Sequence, residues 1–283
     1  MTDGDQQPLA GRLIGITAER KGDDQADLFI KRGADVIVAP MLHTVDLADD
    51  EALRLATVAF TAESPDWFLA TTGFGVRLWL ETAELWGLRV AVVEALARVP
   101  HVVARGPKSR SALRQVGVDP EWTAPGESMP EVVTHVAREL RGGERVAVQL
   151  FDPDEHPTTL ELRGLVGVGG SLLELGVYRW EPPLDQAAAH QLVELIARSR
   201  VDAVTFTSQP AVHFLFKLAA ASGGVDRQDE VRTALDTTVH PVCIGPVCAD
   251  AAVARGVSPE RVVWPDPFRL VPMVKLTTEL LAR

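Results

Sequence analysis

The residues of this chain whose types and spacing suit chemistry sit in four short turns: Thr71-Thr72-Gly73, Gly106-Pro107-Lys108-Ser109, Thr207-Ser208-Gln209-Pro210 and Gly245-Pro246-Val247-Cys248. Each follows a short apolar run and precedes a stretch of helical period. Each therefore reads as the link from the carboxyl end of a strand to the start of a helix. There the first N–H groups of the helix lack an intrahelical partner and the helix dipole presents partial positive charge, an arrangement that receives carboxylates and phosphates. A small hydroxyl residue in such a turn also serves as an ordinary helix cap, and for one turn alone that plainer role suffices. Four turns in two matched pairs point to a carboxylate or phosphate binder.

The pairs exist because the chain nearly states one pattern twice, about 135 residues apart. Residues 67–76 and 101–113 correspond to 203–212 and 241–252, with 35 residues from Thr71 to Gly106 and 38 from Thr207 to Gly245. Residues 13–17 match 145–150 and residues 35–40 match 171–176, at offsets between 132 and 136. Apolar β-branched runs at 13–16, 36–38, 67–70, 102–103, 146–148, 172–177, 204–206, 242–244 and 262–263 are the expected strands. Helical stretches such as 109–116, 129–140, 187–197 and 247–255 lie between them. Such alternation predicts parallel sheets with crossover helices, the doubly wound α/β class. The expected fold is two pseudo-symmetric lobes, each a three-layer α/β/α stack, with a cleft between them. Proline-rich extended segments at 39–45 and 175–183 read as crossings, placing a two-stranded linker near 38–45 and 174–182. The predicted division is one discontinuous lobe, 1–41 plus 180–283, and one inserted lobe, 42–179.

Composition bounds the function. At 283 residues, 46% hydrophobic and 24% charged, the chain can bury two ordinary cores. Its start is polar and acidic, and it contains no apolar run of the roughly 18 residues that span a bilayer, so a soluble cytoplasmic protein is expected, without membrane contact. Two cysteines, Cys243 and Cys248, form no disulfide framework and suit a reducing compartment. A net charge of −11 argues against nucleic acid as a direct partner. The seven histidines, at 43, 101, 135, 156, 190, 213 and 240, show no metal-ligand spacing on any one helix and read as scattered surface or cap residues. The run Asp152, Asp154, Glu155, His156 reads as a solvated turn rather than a cation site, so no metal is expected. Residues 167–170, Gly-Val-Gly-Gly, follow a helical stretch and precede a strand, the reverse of a phosphate loop, and read as a helix stop.

Taken in order, Thr71-Thr72, Gly106-Pro107-Lys108-Ser109, Gly176-Val177-Tyr178-Arg179, the run 204–208 ending Thr207-Ser208, and Cys243-Ile244-Gly245-Pro246 resemble the uroporphyrinogen-III synthase family, from about residue 12 to 281. The resemblance implies two α/β lobes on a two-stranded linker, no cofactor, and cyclisation of the linear tetrapyrrole hydroxymethylbilane with inversion of its last ring and loss of water. That reaction serves synthesis of haem, sirohaem or cobalamin. It implies a catalytic role for Tyr178, the chain's one tyrosine, at the position of the family's cleft tyrosine. A phenol donates a proton while staying neutral near pH 7. A linker aromatic that packs is the plainer reading of the same residue. The implied substrate contacts are Thr17, Arg20, Thr71, Thr72, Gly73, Gly106, Lys108, Ser109, Thr207, Ser208, Gln209, Gly245, Val247 and Cys248. For Lys108 an added charge and a solvated helix-start lysine both stay open. A monomer is expected, with possible handover from hydroxymethylbilane synthase.

The chain departs from the family pattern at three places. Relatives commonly carry Thr-Arg after the first strand, where this chain has Thr17-Ala18-Glu19-Arg20. They often have a basic glycine-containing turn after the fifth strand, where this chain has Asp152-Pro153-Asp154-Glu155. Cys248 replaces a usual threonine. Carboxylates facing an eight-carboxylate substrate repel it by about 1 kcal/mol per close pair in water. Two other functions stay open. One is a ligand-sensing domain of a transcriptional regulator, its winged-helix DNA-binding domain C-terminal to this chain, a pattern of actinobacterial proteins that suits 5 Lys against 23 Arg. The other is a two-lobed small-molecule binding protein of the exported type.

Overall fold

The computed structural model describes residues 7–151, 157–166 and 170–282. The acidic run Asp152, Asp154, Glu155, His156 and the glycine-rich residues 167–169 lie outside the described residues. In chain order the first elements are β1 (Leu13–Ile16), α1 (Gly22–Ile30), β2 (Asp35–Val38), β3 (His43–Asp46), α2 (Glu51–Ala62), β4 (Trp67–Ala70) and α3 (Gly73–Leu85). Then come α4 (Arg89–Arg98), β5 (His101–Ala104), α5 (Pro107–Arg114), β6 (Trp122–Thr123), α6 (Met129–Glu139), β7 (Arg145–Phe151) and α7 (Pro157–Val166). The rest are β8 (Ser171–Glu181), α8 (Gln186–Ala197), β9 (Ala203–Phe206), α9 (Gln209–Thr237), β10 (His240–Cys243), α10 (Pro246–Val253) and α11 (Leu270–Leu281). None of the described helices is long and apolar enough to cross a membrane.

The chain packs as two units, one running to His43 and resuming at Glu181, the other Thr44–Trp180. The first holds a four-stranded sheet of order β10-β9-β1-β2, and the second is built on a six-stranded sheet of order β3-β8-β7-β4-β5-β6. The strand pairs β1/β2, β1/β9, β9/β10, β4/β5, β4/β7, β5/β6 and β7/β8 are parallel. Reading the larger sheet as β5-β4-β7-β8 reproduces β10-β9-β1-β2 strand for strand, which is the sequence repeat expressed as topology. The fold is mixed α/β with parallel sheets, as the apolar runs predict.

Period-two alternation explains how the larger sheet buries both faces. Phe68 and Ala70 of β4 join Phe60, Val76, Trp79 and Leu96 from α2, α3 and α4, whereas Trp67 and Leu69 join Val132, Val136 and Leu162 from α6 and α7. In the smaller sheet Ile14 and Ile16 face Phe29 of α1 and Met273 and Val274 of α11. On its other face Gly15 lies under α8 so closely that a Cβ would stand 2.6 Å from Leu192 Cδ1.

One expectation needs correction. The run at 262–263 makes only a single bridge, Val242 to Val263, because the chain leaves β10 at once. The extended segment expected near 38–45 contains β3, beside β8 at the edge of the larger sheet. The two-residue β6 extends that sheet beyond β5. His101 and His135 each lie half-buried against an indole. His101 stacks on Trp67 at 4.3 Å and His135 on Trp122 at 4.2 Å, because an imidazole can cover an indole with its apolar face while its edge stays polar. His101 Nδ1 lies 3.0 Å from the Glu121 carboxylate.

Candidate functional site

In the unit Thr44–Trp180, β8, β7, β4 and β5 are neighbours and parallel, so their carboxyl ends share one edge of the sheet. Gln149, fully buried near the end of β7, organises that edge. Thr71 Oγ1 donates to the Gln149 backbone carbonyl at 2.7 Å, and the Thr72 N–H donates to Gln149 Oε1 at 3.0 Å. Gln149 Nε2 donates in turn to the Leu150 carbonyl at 2.9 Å. A buried side-chain amide satisfied on both ends holds the turn in one conformation.

Thr72 caps α3, its Oγ1 accepting from the Gly75 N–H at 2.9 Å. The same hydroxyl lies 3.4 Å from the Tyr178 hydroxyl. Tyr178 is 4% exposed, with Phe74 at 5.1 Å and Trp180 at 6.0 Å, both edge-on. Gly73 is required by close approach: a Cβ there would stand 2.3 Å from the Lys108 carbonyl oxygen, so the turns 71–73 and 106–109 touch through backbone.

The α5 helix starts at Gly106 without a side-chain cap. A Cβ on Gly106 would lie 3.2 Å from Glu127 Oε2, so a carboxylate stands at this helix start. Arg105 is half-buried. Burial pulls its guanidinium below the usual arginine range, against the Tyr178 phenol and then the Glu127 carboxylate, which both push it up. Lys108 is exposed and Ser109 buried.

The other unit repeats the plan. Thr17, buried at the end of β1, donates to the Thr205 carbonyl at 2.7 Å, so its hydroxyl is engaged inside the sheet. Ser208 caps α9 by accepting from the Ala211 N–H at 3.4 Å, beside a half-buried Thr207 and an exposed Gln209. Arg20 is exposed. Helix α10 starts at Gly245 without a side-chain cap. The Phe268 ring covers that glycine, with Val247 46% exposed at the helix start. Cys248 is buried and its thiol donates to the Phe206 carbonyl at 3.6 Å. Its hydrogen bond to Cys243, together with burial, pushes the Cys243 thiol well up from its ordinary range. Cys243 and Cys248 are both free and inert by that burial.

The structure thus brings Thr71, Thr72, Gly73, Gly106, Lys108, Ser109 and Tyr178 onto one unit, and Thr17, Arg20, Thr207, Ser208, Gln209, Gly245, Val247 and Cys248 onto the other. Thr17 and Cys248 turn their side chains into the protein, and their backbone N–H groups donate to the Thr205 and Gly245 carbonyls, at 3.3 and 3.1 Å. Sequence reading missed Gln149, Arg105, Glu127 and Phe74. Gln149 had a signal, as the one polar residue in the run Val146 to Phe151, and Arg105 stands directly before the Gly106-Pro107 turn.

These features define a two-lobed parallel α/β protein whose strands end in paired helix N-termini, one hydroxyl-capped and one glycine-started in each lobe. Solved structures share that fold. A mutant uroporphyrinogen III synthase of Thermus thermophilus matches with a TM-score of 0.78 and 27% identity, over 96% of this chain and 99% of that one. The wild-type Thermus thermophilus enzyme in another crystal form gives 0.63 and 27%, over 96% and 98%. The protein belongs to the uroporphyrinogen-III synthase family, whose description "Uroporphyrinogen-III synthase HemD" matches residues 23–264. A relative from Bacillus subtilis (strain 168), "Uncharacterized protein YjjA", is 27% identical over 269 residues, 94% of each chain.

Proposed function

We propose that this protein is a uroporphyrinogen-III synthase, cyclising hydroxymethylbilane to uroporphyrinogen III with inversion of ring D and loss of water. The observation that carries the reading is the chain's one tyrosine, Tyr178, set with its hydroxyl 3.4 Å from the Thr72 hydroxyl at the head of α3, in a chain of this family. The reaction has no net redox change. It needs a proton donor for the departing hydroxyl and control over which ring carbon closes. Tyr178 is the donor. Control of closure is catalysis by orientation, since the linear substrate also closes unaided to the uninverted isomer. The substrate's acetate and propionate groups are received by N–H groups and hydroxyls at helix starts that follow strand ends.

The test is a coupled assay in which porphobilinogen and its deaminase supply hydroxymethylbilane, and the products are oxidised and separated as isomers I and III. Excess isomer III over the enzyme-free control is expected, with a loss of about a hundredfold or more in Tyr178→Phe, the usual weight of a general acid. Excess III that survives the substitution removes Tyr178 from its role. Isomer I alone from folded protein overturns the synthase reading. It favours the second reading, a ligand-sensing domain, which draws on the burial of Tyr178 to 4% between Phe74 and Trp180.

A further inference from the structure

At the carboxyl edge of the larger sheet one charged side chain is placed to act on the proposed acid. Ala104 pairs with Ala70, and the next residue, Arg105, donates its backbone N–H to the Ala70 carbonyl at 2.9 Å. Arg105 is therefore fixed one step beyond the strand, level with the Thr71-Thr72 turn. Tyr178, paired with Phe151 at the end of β7, reaches the same turn from the far side through its contact with Thr72. The guanidinium is half-buried within electrostatic reach of the phenol, and Glu127, whose carboxylate stands over Gly106, is its counter-charge.

We propose that Arg105 is a positioning residue for the reaction, stabilising the phenolate form of Tyr178 that proton donation leaves behind, with Glu127 moderating its charge. The inference rests on the synthase reading for its chemistry. In that step the Tyr178 O–H proton passes to the leaving hydroxyl oxygen, the C–O bond breaks with its electron pair to that oxygen, and water departs. The phenolate is restored by the proton released from the ring carbon that forms the last C–C bond. A fixed cation aimed at the atom where negative charge develops lowers the barrier without reorganising, and low dielectric strengthens it. Among the described residues, the other groups near Tyr178 do not duplicate this. Thr72, Phe74 and Trp180 are uncharged, Arg179 on the same strand is exposed, and Asp46 on the neighbouring β3 accepts from the Ala48 N–H at 3.3 Å.

Because the chain has one tyrosine, near-ultraviolet phenolate absorbance titrates Tyr178 alone and needs no turnover. Arg105→Gln is expected to move the midpoint to higher pH, Arg105→Lys to keep it near the wild-type position, and Glu127→Gln to move it to lower pH. Tyr178→Phe should abolish the signal. In the isomer assay the alkaline limb of kcat/KM moves the same way in Arg105→Gln, whereas a purely structural loss lowers the rate without moving the limb. An unmoved midpoint in Arg105→Gln, with a native far-ultraviolet spectrum, overturns the proposal. If that variant fails to fold, an unmoved midpoint in the surface variant Glu127→Gln overturns it. A wild type that makes no isomer III refutes the synthase reading while the absorbance titration still decides on Arg105.

Discussion

Gly73 sets the tolerance of the candidate site at the scale of single residues. A methyl group at this position would stand 2.3 Å from the Lys108 backbone oxygen, and backbone cannot swing aside as a long side chain can. Gly73→Ala is therefore expected to destabilise the protein by about 1–3 kcal/mol, the usual range for overpacking, read as a lower urea midpoint. Gly142→Ala is the control, since its Cβ would meet nothing within 4 Å and it should leave the midpoint unchanged. A wild-type midpoint in Gly73→Ala would show that the two turns separate freely. The hydroxyls of Thr71, Thr72 and Ser208 were legible in the sequence because each interrupts an apolar run just where a helix period begins. Gln149 was not legible as a partner of Thr71, 78 residues away, because only the pairing of β7 with β4 brings them together. Arg105 was hidden similarly: its neighbours Tyr178 and Glu127 arrive from other strands and turns, and no local spacing announces them.

Among elements, the contrast between the two kinds of helix start is the feature with consequences. Helices α3 and α9 carry their own hydroxyl caps, Thr72 and Ser208, whereas α5 and α10 start at Gly106 and Gly245 with a proline next and no side-chain cap. Capped helices contribute stability; uncapped ones leave N–H groups for something else. Ser208→Ala is expected to cost about 1 kcal/mol of unfolding free energy, and Thr72→Ala about the same, because each removes one cap bond. Thr72→Ala should in addition lower isomer III formation, and Thr72→Ser should restore both. Equal stability of Ser208→Ala and wild type in urea would mean that α9 is held by packing alone. Most elements were legible from periodicity, since β4 and β9 are wholly buried short runs and α8 shows a clean apolar face. The exceptions have physical causes. β3 is a half-exposed edge strand without the apolar run of a central one, and β6 has two residues. The long α9 breaks at Gly223 and Gly224, where Gly224 takes a φ of 68°, a left-handed conformation that glycine alone adopts cheaply.

For the molecule as a whole, the repeat in the sequence and the matching strand orders β5-β4-β7-β8 and β10-β9-β1-β2 describe one plan used twice. The chain supplies the first two strands of one lobe, then all of the other, then the remaining strands of the first, so β1, β2, β4 and β5 repeat in chain order as β7, β8, β9 and β10 while the two lobes match as a circular permutation. Each copy brings one capped and one uncapped helix start, and local partial charges of this kind do not depend on net charge. Net charge acts at longer range. At −11 the protein repels a polycarboxylate, and repulsion between separated charges is felt over a Debye length of about 30 Å at 0.01 M salt but about 10 Å at 0.1 M. The synthase reading therefore predicts that KM for hydroxymethylbilane falls, with kcat little changed, as ionic strength rises from about 0.01 to 0.1 M, because screening removes the long-range repulsion and leaves the short contacts at the helix starts. The opposite sign, a KM that rises with salt, would mean that the cations near the turns, Arg105, Lys108 and Arg20, govern encounter, and that the acidic surface lies too far from the approach path to matter.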